Sequence, residues 1–87
     1  MNLAEAIRER LAALAPESIE LTDDSAQHAG HQGAREGGSH FSLVIVSSRF
    51  SGMNTLSRHR LVYEAMGPLM QHQIHALAIR ALTADEL

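Results

Sequence analysis

Residues 24–38, DSAQHAGHQGAREGG, constrain the fold of this chain most, because they contain four glycines and hardly any large apolar side chain. A segment of this composition cannot bury enough surface to be ordered by packing alone, so it predicts a long flexible loop. Loops of this length without internal structure are uncommon in compact domains, and those that occur usually have a function. His28 and His31 within the loop are therefore candidate functional residues.

The rest of the composition describes one small domain. The chain has 87 residues, of which 45% are hydrophobic, and area scaling allows roughly 63% of the unfolded surface to be buried. We therefore expect a single domain, residues 1–87, with a modest core. The sequence has no apolar run near about 18 residues and no basic-then-apolar leader, which predicts a cytoplasmic protein that does not bind membranes.

The residue types present exclude several kinds of chemistry. Without cysteine, the chain cannot form a disulfide, a thiolate nucleophile or an all-cysteine metal or iron-sulfur site of its own. It also has no HExxH sequence and no phosphate-binding loop, so we do not expect an enzyme. Its formal charge of -3 gives no general attraction to phosphate, so nucleic-acid binding would need a local arginine patch.

Periodicity predicts a helix and a strand before the loop. Apolar residues at helical spacing indicate an amphipathic helix over residues 2–15, which Pro16 ends. Ile19 and Leu21 then alternate with polar residues, as in a half-buried strand, and this strand stops at Asp23.

The segment after the loop predicts two further strands separated by helices. The predicted elements are a central strand at 41–46, a helix capped by Asn54 or Thr55, a short helix at 68–72, a strand at 74–82 and a capping box at Thr83 and Glu86. Within the last strand, His75 shares a face with Leu77 and Ile79, which is the bulkier and therefore core-side row.

The order of these elements predicts an α+β fold, α-β-β-α-α-β(-α), with a three-stranded mixed sheet covered by helices on one face. The first two strands should pair antiparallel, whereas two intervening helices make the second and third strands parallel. Parallel strands begin at the same end of a sheet. The loop leads into the second strand, so this topology brings His28 or His31 toward His75.

Four blocks of the sequence resemble the BolA family, in the same order and over nearly the whole chain. They are DDSAQH, SHFSLVIVSSRFSG, LSRHRLVYEAM and IHALAIRALTADE, of which the RHRLVY and IHAL segments are the most specific. The resemblance implies the class II KH-like fold, in agreement with the element order derived above. It also implies a non-enzymatic protein that partners a monothiol glutaredoxin in a complex bridged by a [2Fe-2S] cluster.

The same resemblance implies the cluster ligands. The family's histidine at the start of the third strand matches His75, and its loop ligand matches His28, with His31 as the alternative loop ligand. Imidazole nitrogen can replace sulfur on one iron of such a cluster. Two imidazoles cannot fill four positions, so we expect a protein without cofactor that is monomeric, or only weakly self-associating, when isolated. With its partner we expect a heterodimer whose cluster is shared with glutaredoxin and glutathione.

Some members of the family have been viewed as DNA-binding transcriptional regulators, which is the alternative function. In this chain the role would fall to Arg58 and Arg60 of the RHR segment, with Arg49 nearby. The alternative without a binding function is that these arginines lie on a solvated helix face, or that Arg60 forms an ion pair with Glu64, four residues further along the same helix. We expect any DNA binding to be weak.

Overall fold

The computed structural model describes residues 2–24 and 39–87, with the backbone alone described for Ser39, His72 and His75. Its helices and strands are α1 Leu3–Leu11, β1 Ser18–Asp23, β2 Ser39–Val46, α2 Thr55–Met66, α3 Pro68–His72 and β3 Ile74–Leu82. In the described residues, 3-10 turns lie at Ala12–Leu14, Ser48–Phe50 and Ala84–Glu86. This order confirms the predicted α-β-β-α-α-β(-α) arrangement, with the final helix reduced to one 3-10 turn.

Side chains of asparagine begin both longer helices. The Asn2 side chain accepts a hydrogen bond from the Glu5 N–H at 2.9 Å, and Asn54 accepts one from the Ser57 N–H at 2.8 Å. Each bond satisfies a backbone donor that the first helical turn leaves without a partner. Asn54 rather than Thr55 is therefore the cap of α2.

The first helix is shorter in its α-helical part than the periodicity predicts. It changes to a 3-10 turn after Leu11, and Ala15 then adopts a left-handed conformation with φ 47°. Pro16 follows directly and restricts Ala15 to non-helical backbone, as the sequence indicates. The position of the helix predicted over residues 2–15 is thus confirmed, but its last turn is a 3-10 turn rather than an α-helical one.

The sheet has the predicted mixed topology, with strand order β1-β2-β3. The outer strand β1 pairs antiparallel with β2, and β2 pairs parallel with β3. The parallel pair is possible because α2 and α3 carry the chain back across the sheet between its two strands.

All helices cover one face of the sheet, and the core lies between them and that face. The fully buried side chains of the core include Ile7, Leu11, Leu43, Ile45, Phe50, Val62 and Met66. On the opposite face the exposed positions of the outer strands carry small or polar residues such as Glu20, Thr22, Ala76, Ala78 and Arg80. Among the described residues, no helix is long and apolar enough to span a membrane.

Ser47 is a buried polar residue that joins three parts of the fold. Its hydroxyl donates to the Leu14 carbonyl oxygen at 2.7 Å and accepts from the Arg49 N–H at 3.1 Å. Its own N–H donates to the Leu82 carbonyl oxygen at 2.9 Å. The end of β2 is therefore hydrogen-bonded to the turn after α1 and to the end of β3.

Candidate functional site

Three strand ends meet at one end of the sheet, which we call the histidine end and define by Asp23, Ser39 and Ile74. Asp23 is the last residue of β1 and pairs with Phe41, close to the start of β2. Ser39 and Ile74, the first residues of β2 and β3, pair with each other. The described residues on either side of 25–38 therefore both lie at the same end of the sheet as the backbone of His75.

Asp24 is attached to β2 by two hydrogen bonds. Its N–H donates to the His40 carbonyl oxygen at 2.7 Å, and its carboxylate accepts from the Ser42 hydroxyl. The chain is thus held on β2 immediately before residue 25. The structure agrees with the predicted start of the loop, since β1 ends at Asp23 and Asp24 lies outside the strand.

The backbone at His75 departs from a regular ladder. Ser39 pairs with Ile74, but the next residue of β2, His40, pairs with Ala76. His75 therefore lies between two paired residues and has no Cα partner in the register. We call this register shift the bulge, a β-bulge or a similar irregularity of the ladder; β-bulges are common beside functional sites because they re-aim the local chain.

The bulge also limits the predicted alternation of β3. From Ala76 onward the prediction is confirmed, since Leu77 and Ala81 are buried and Ala78 is exposed. Ile74, which strict alternation assigns to the exposed row, is instead buried, because the bulge changes the phase of the strand. The His75 side chain lies outside the described part of the structure, so its predicted core-side position stays a prediction.

The two loop histidines of the sequence analysis, His28 and His31, lie outside the described residues, so the choice between them stays a prediction. Among the side chains that the structure does describe, no three histidine or carboxylate groups come together as a metal site. The histidine nitrogens of this chain are the kind of ligand that could bind one of the two irons of a [2Fe-2S] cluster. Imidazole nitrogens can ligate one iron, and with no cysteine in the sequence the remaining thiolates would come from elsewhere.

Arg58 of the RHR segment is tied into the fold at the other end of the sheet. Its Nε donates to the Met53 carbonyl oxygen and its Nη1 to the Ala81 carbonyl oxygen, both at 2.9 Å. The same guanidinium forms a bidentate ion pair with Glu86, with 2.5 Å from Nη1 to Oε1 and 2.9 Å from Nη2 to Oε2. Arg58 therefore joins the start of α2 to β3 and to the C-terminal turn.

This ion pair shifts the pKa of both partners toward their charged forms. The hydrogen bonds from Arg58, followed by the backbone N–H of Thr83, lower the pKa of Glu86 to about 2. The hydrogen bond to Glu86 raises the pKa of Arg58. The Arg58 side chain is only 12% exposed, so a phosphate group would have to compete with Glu86 for it.

Arg49 and Arg60 are exposed, and within the described residues neither has a side-chain ion pair. The pair that helical spacing offered between Arg60 and Glu64 is not among the ion pairs of those residues, so Arg60 belongs to a solvated face.

Sequence reasoning missed the pair between Arg58 and Glu86, which are 28 residues apart. The only local signal was the capping box, which is confirmed and holds Glu86 beside Thr83.

Comparison with known proteins identifies the family. The family model described as BolA-like protein matches residues 11–86. The chain belongs to the BolA-like family. The family assignment made from the four sequence blocks is therefore confirmed, and the matched residues include all three strands of the sheet.

Relatives and solved structures agree with this family. BolA-like protein 1 of Mus musculus is 48% identical over 79 residues, which are 90% of this chain and 56% of that protein. The DNA-binding transcriptional regulator BolA of Escherichia coli (strain K12) is 38% identical over 99% of this chain and 80% of its own length. The structure of BolA1 from Arabidopsis thaliana matches with a TM-score of 0.84 and 40% identity, covering 100% of this chain and 97% of that one.

These comparisons confirm the mixed three-stranded sheet and the KH-like α+β fold of BolA proteins. The chain spans only about half, 56%, of the length of the mouse relative that it matches. The predicted cytoplasmic location, the cluster and the glutaredoxin partner stay predictions.

Proposed function

We propose that this BolA-like protein is a non-enzymatic iron-sulfur adaptor, which binds a monothiol glutaredoxin through a shared [2Fe-2S] cluster. The observation that carries the proposal is the histidine end of the sheet. There, the two chain ends that flank residues 25–38, which contain His28 and His31, lie at the same end as His75. The described residues that flank the loop thus lie at the same end of the sheet as the backbone of His75, which supports ligands that are more than 40 residues apart in the sequence.

In this proposal His75 and one loop histidine supply imidazole nitrogen, while the thiolates come from the glutaredoxin and from glutathione. When bound, the cluster could itself be transferred to another protein, or its presence could report iron or redox status. The chain's own contribution is to orient the two imidazoles. The Asp24 N–H donates to His40 and the Asp24 carboxylate accepts from Ser42, so the chain is held on β2 immediately before residue 25.

Co-expression with a monothiol glutaredoxin in the presence of glutathione tests the proposal. The isolated chain should be colourless, and the mixture should give a brown one-to-one complex whose visible circular dichroism differs from that of the glutaredoxin homodimer. An unaltered homodimer spectrum, with no complex on a sizing column, would reject the adaptor function. The His59→Ala variant, which changes a histidine on α2, is the matched control and should form the complex normally.

A second function, DNA binding, is favoured by one observation. The Escherichia coli relative, 38% identical, is named a DNA-binding transcriptional regulator. In this chain Arg49 and Arg60 are the exposed arginines of the predicted patch, whereas Arg58 is held by Glu86. Because the formal charge is -3, binding should be non-specific, with a dissociation constant no tighter than about 1 μM.

Titration of duplex DNA at two salt concentrations tests this second function. Each phosphate contact that is lost should reduce the salt slope by about 1. The Arg49→Ala and Arg60→Ala variants should therefore bind more weakly on every sequence. A tight and sequence-selective complex at physiological salt would instead make DNA binding the leading function.

A further inference from the structure

Within the described residues, the outer edge of β3 carries backbone hydrogen-bonding groups that have no partner. Among the described residues, β3 has one neighbour, β2, and so lies at the edge of the sheet. The Ser47 N–H donates to the Leu82 carbonyl oxygen, so the backbone groups of Leu82 point toward β2. In a parallel ladder alternate residues point the same way. The N–H and C=O groups of Leu77 and Ile79 therefore point outward, away from β2.

Two features bound this outward-facing stretch. At one end, the Ala81 carbonyl oxygen also points outward and accepts a hydrogen bond from Arg58. At the other end, the bulge at His75 interrupts the regular strand. Charged side chains and bulges are devices that limit pairing at a sheet edge. Between them, no described residue outside the sheet bonds to the backbone of Leu77 or Ile79.

We propose that this edge, residues 76–80, pairs antiparallel with the same residues of a second copy of the chain. The argument for a second copy is that the stretch is complementary to itself about Ala78. In that register Leu77 of one copy faces Ile79 of the other, which gives two hydrogen-bonded pairs and four backbone hydrogen bonds. Arg80 faces Ala76, so no two like charges lie directly opposite.

The side chains fit the same register. Ile79 is only partly buried, and it gains an apolar neighbour from Leu77 of the other copy. Ala78 is exposed and would face its counterpart in the closely spaced pair without hydrogen bonds, where Cα atoms are about 4.5 Å apart. Further pairing stops at Ala81 and His75, so the association should be weak, with a dissociation constant on the order of 1 mM.

Amide hydrogen exchange of the isolated protein tests this pairing without iron or glutaredoxin, so its outcome is independent of the proposed function. The Leu77 and Ile79 N–H groups should exchange about 2.3-fold more slowly at 2 mM protein than at 0.05 mM, as mass action requires for a dissociation constant of about 1 mM. The Ala78 and Arg80 N–H groups, which face β2, should be protected equally at both concentrations.

Two matched variants complete the experiment. Ala78→Arg brings two guanidinium groups together in the pair and should abolish the concentration dependence. Thr22→Arg changes an exposed residue in the same cross-strand row, Thr22–Ser42–Ala78, two strands away, and should leave it unchanged. Exchange at Leu77 and Ile79 that does not depend on concentration would overturn the proposal. Self-association that survives Ala78→Arg would also overturn it. So would amide exchange at Leu77 and Ile79 that slows only when an extended peptide of another sequence is added.

Discussion

Arg58 and Glu86 form a bidentate ion pair, with contacts of 2.5 and 2.9 Å, that holds the start of α2 against the C-terminal 3-10 turn. The pair connects the first turn of α2 to the last turn of the described chain. It also brings the guanidinium to the Ala81 carbonyl oxygen at the edge of β3. An arginine of the RHR segment thus has a structural role in this fold.

The first prediction concerns the pH dependence of this pair. The pKa of Glu86 is lowered from 4.5 to about 2 in the folded protein. Its contribution to the free energy of unfolding is therefore present above about pH 4.5 and is lost as the pH falls toward 2. Glu86→Gln should remove that part of the acid destabilisation, as measured by urea unfolding at several pH values.

Glu64→Gln is the matched control for this experiment. Glu64 is exposed on α2, and among the described residues it has no ion pair. This variant should keep the wild-type loss of stability between pH 4.5 and pH 2. If both variants changed the pH profile equally, the interaction of Glu86 with Arg58 would not be its cause.

The second prediction concerns the buried hydroxyl of Ser47. Ser47→Ala leaves the Leu14 carbonyl oxygen and the Arg49 N–H without this partner. Leaving a buried group unsatisfied costs about 1–3 kcal/mol, so urea unfolding should report a loss of this size. Ser48→Ala, at the exposed neighbouring position, should change stability by no more than about 0.5 kcal/mol. Equal effects of the two substitutions would contradict the assigned role.

The third prediction concerns the backbone between α2 and α3. Gly67 has φ 57° and ψ -133°, a conformation that residues with a side chain rarely adopt. Gly67→Ala should therefore destabilise the protein by about 1–3 kcal/mol. A Cβ at this position would also lie 3.4 Å from the Arg10 guanidinium. Because that side chain can move, adding Arg10→Ala should restore little of the lost stability, and full restoration would show that the contact dominates.

The fourth prediction separates the proposed cluster ligands. In the complex with glutaredoxin, His75→Ala should abolish the altered visible circular dichroism, and His28→Ala should remove most of it. His31→Ala should have little effect. Far-ultraviolet circular dichroism of each variant checks that the fold is kept. The reverse result for the two loop histidines would make His31 the ligand.

Local sequence patterns were sufficient for the elements of this fold. The apolar periodicity of α1, the caps at Asn2 and Asn54, and the helix break at Gly67 each depend on residues within a few positions of one another. The parallel pairing of β2 and β3 followed from the two helices between them. The histidine end of the sheet was therefore predictable as a place, and the histidines assigned to it stay a prediction.

The tertiary structure alone decided three other features, because each joins groups that no local period relates. They are the pairing of Arg58 with Glu86, the burial of the Ser47 hydroxyl against the Leu14 carbonyl oxygen, and the register shift near the start of β3 that accompanies the burial of Ile74. Helical spacing can relate Arg60 only to Glu64, whereas a contact across 28 residues depends on how α2 packs on β3. Strand alternation likewise holds only as far as a register shift, since one extra residue reverses the phase between the two sides of the shift, as Ile74 shows in β3.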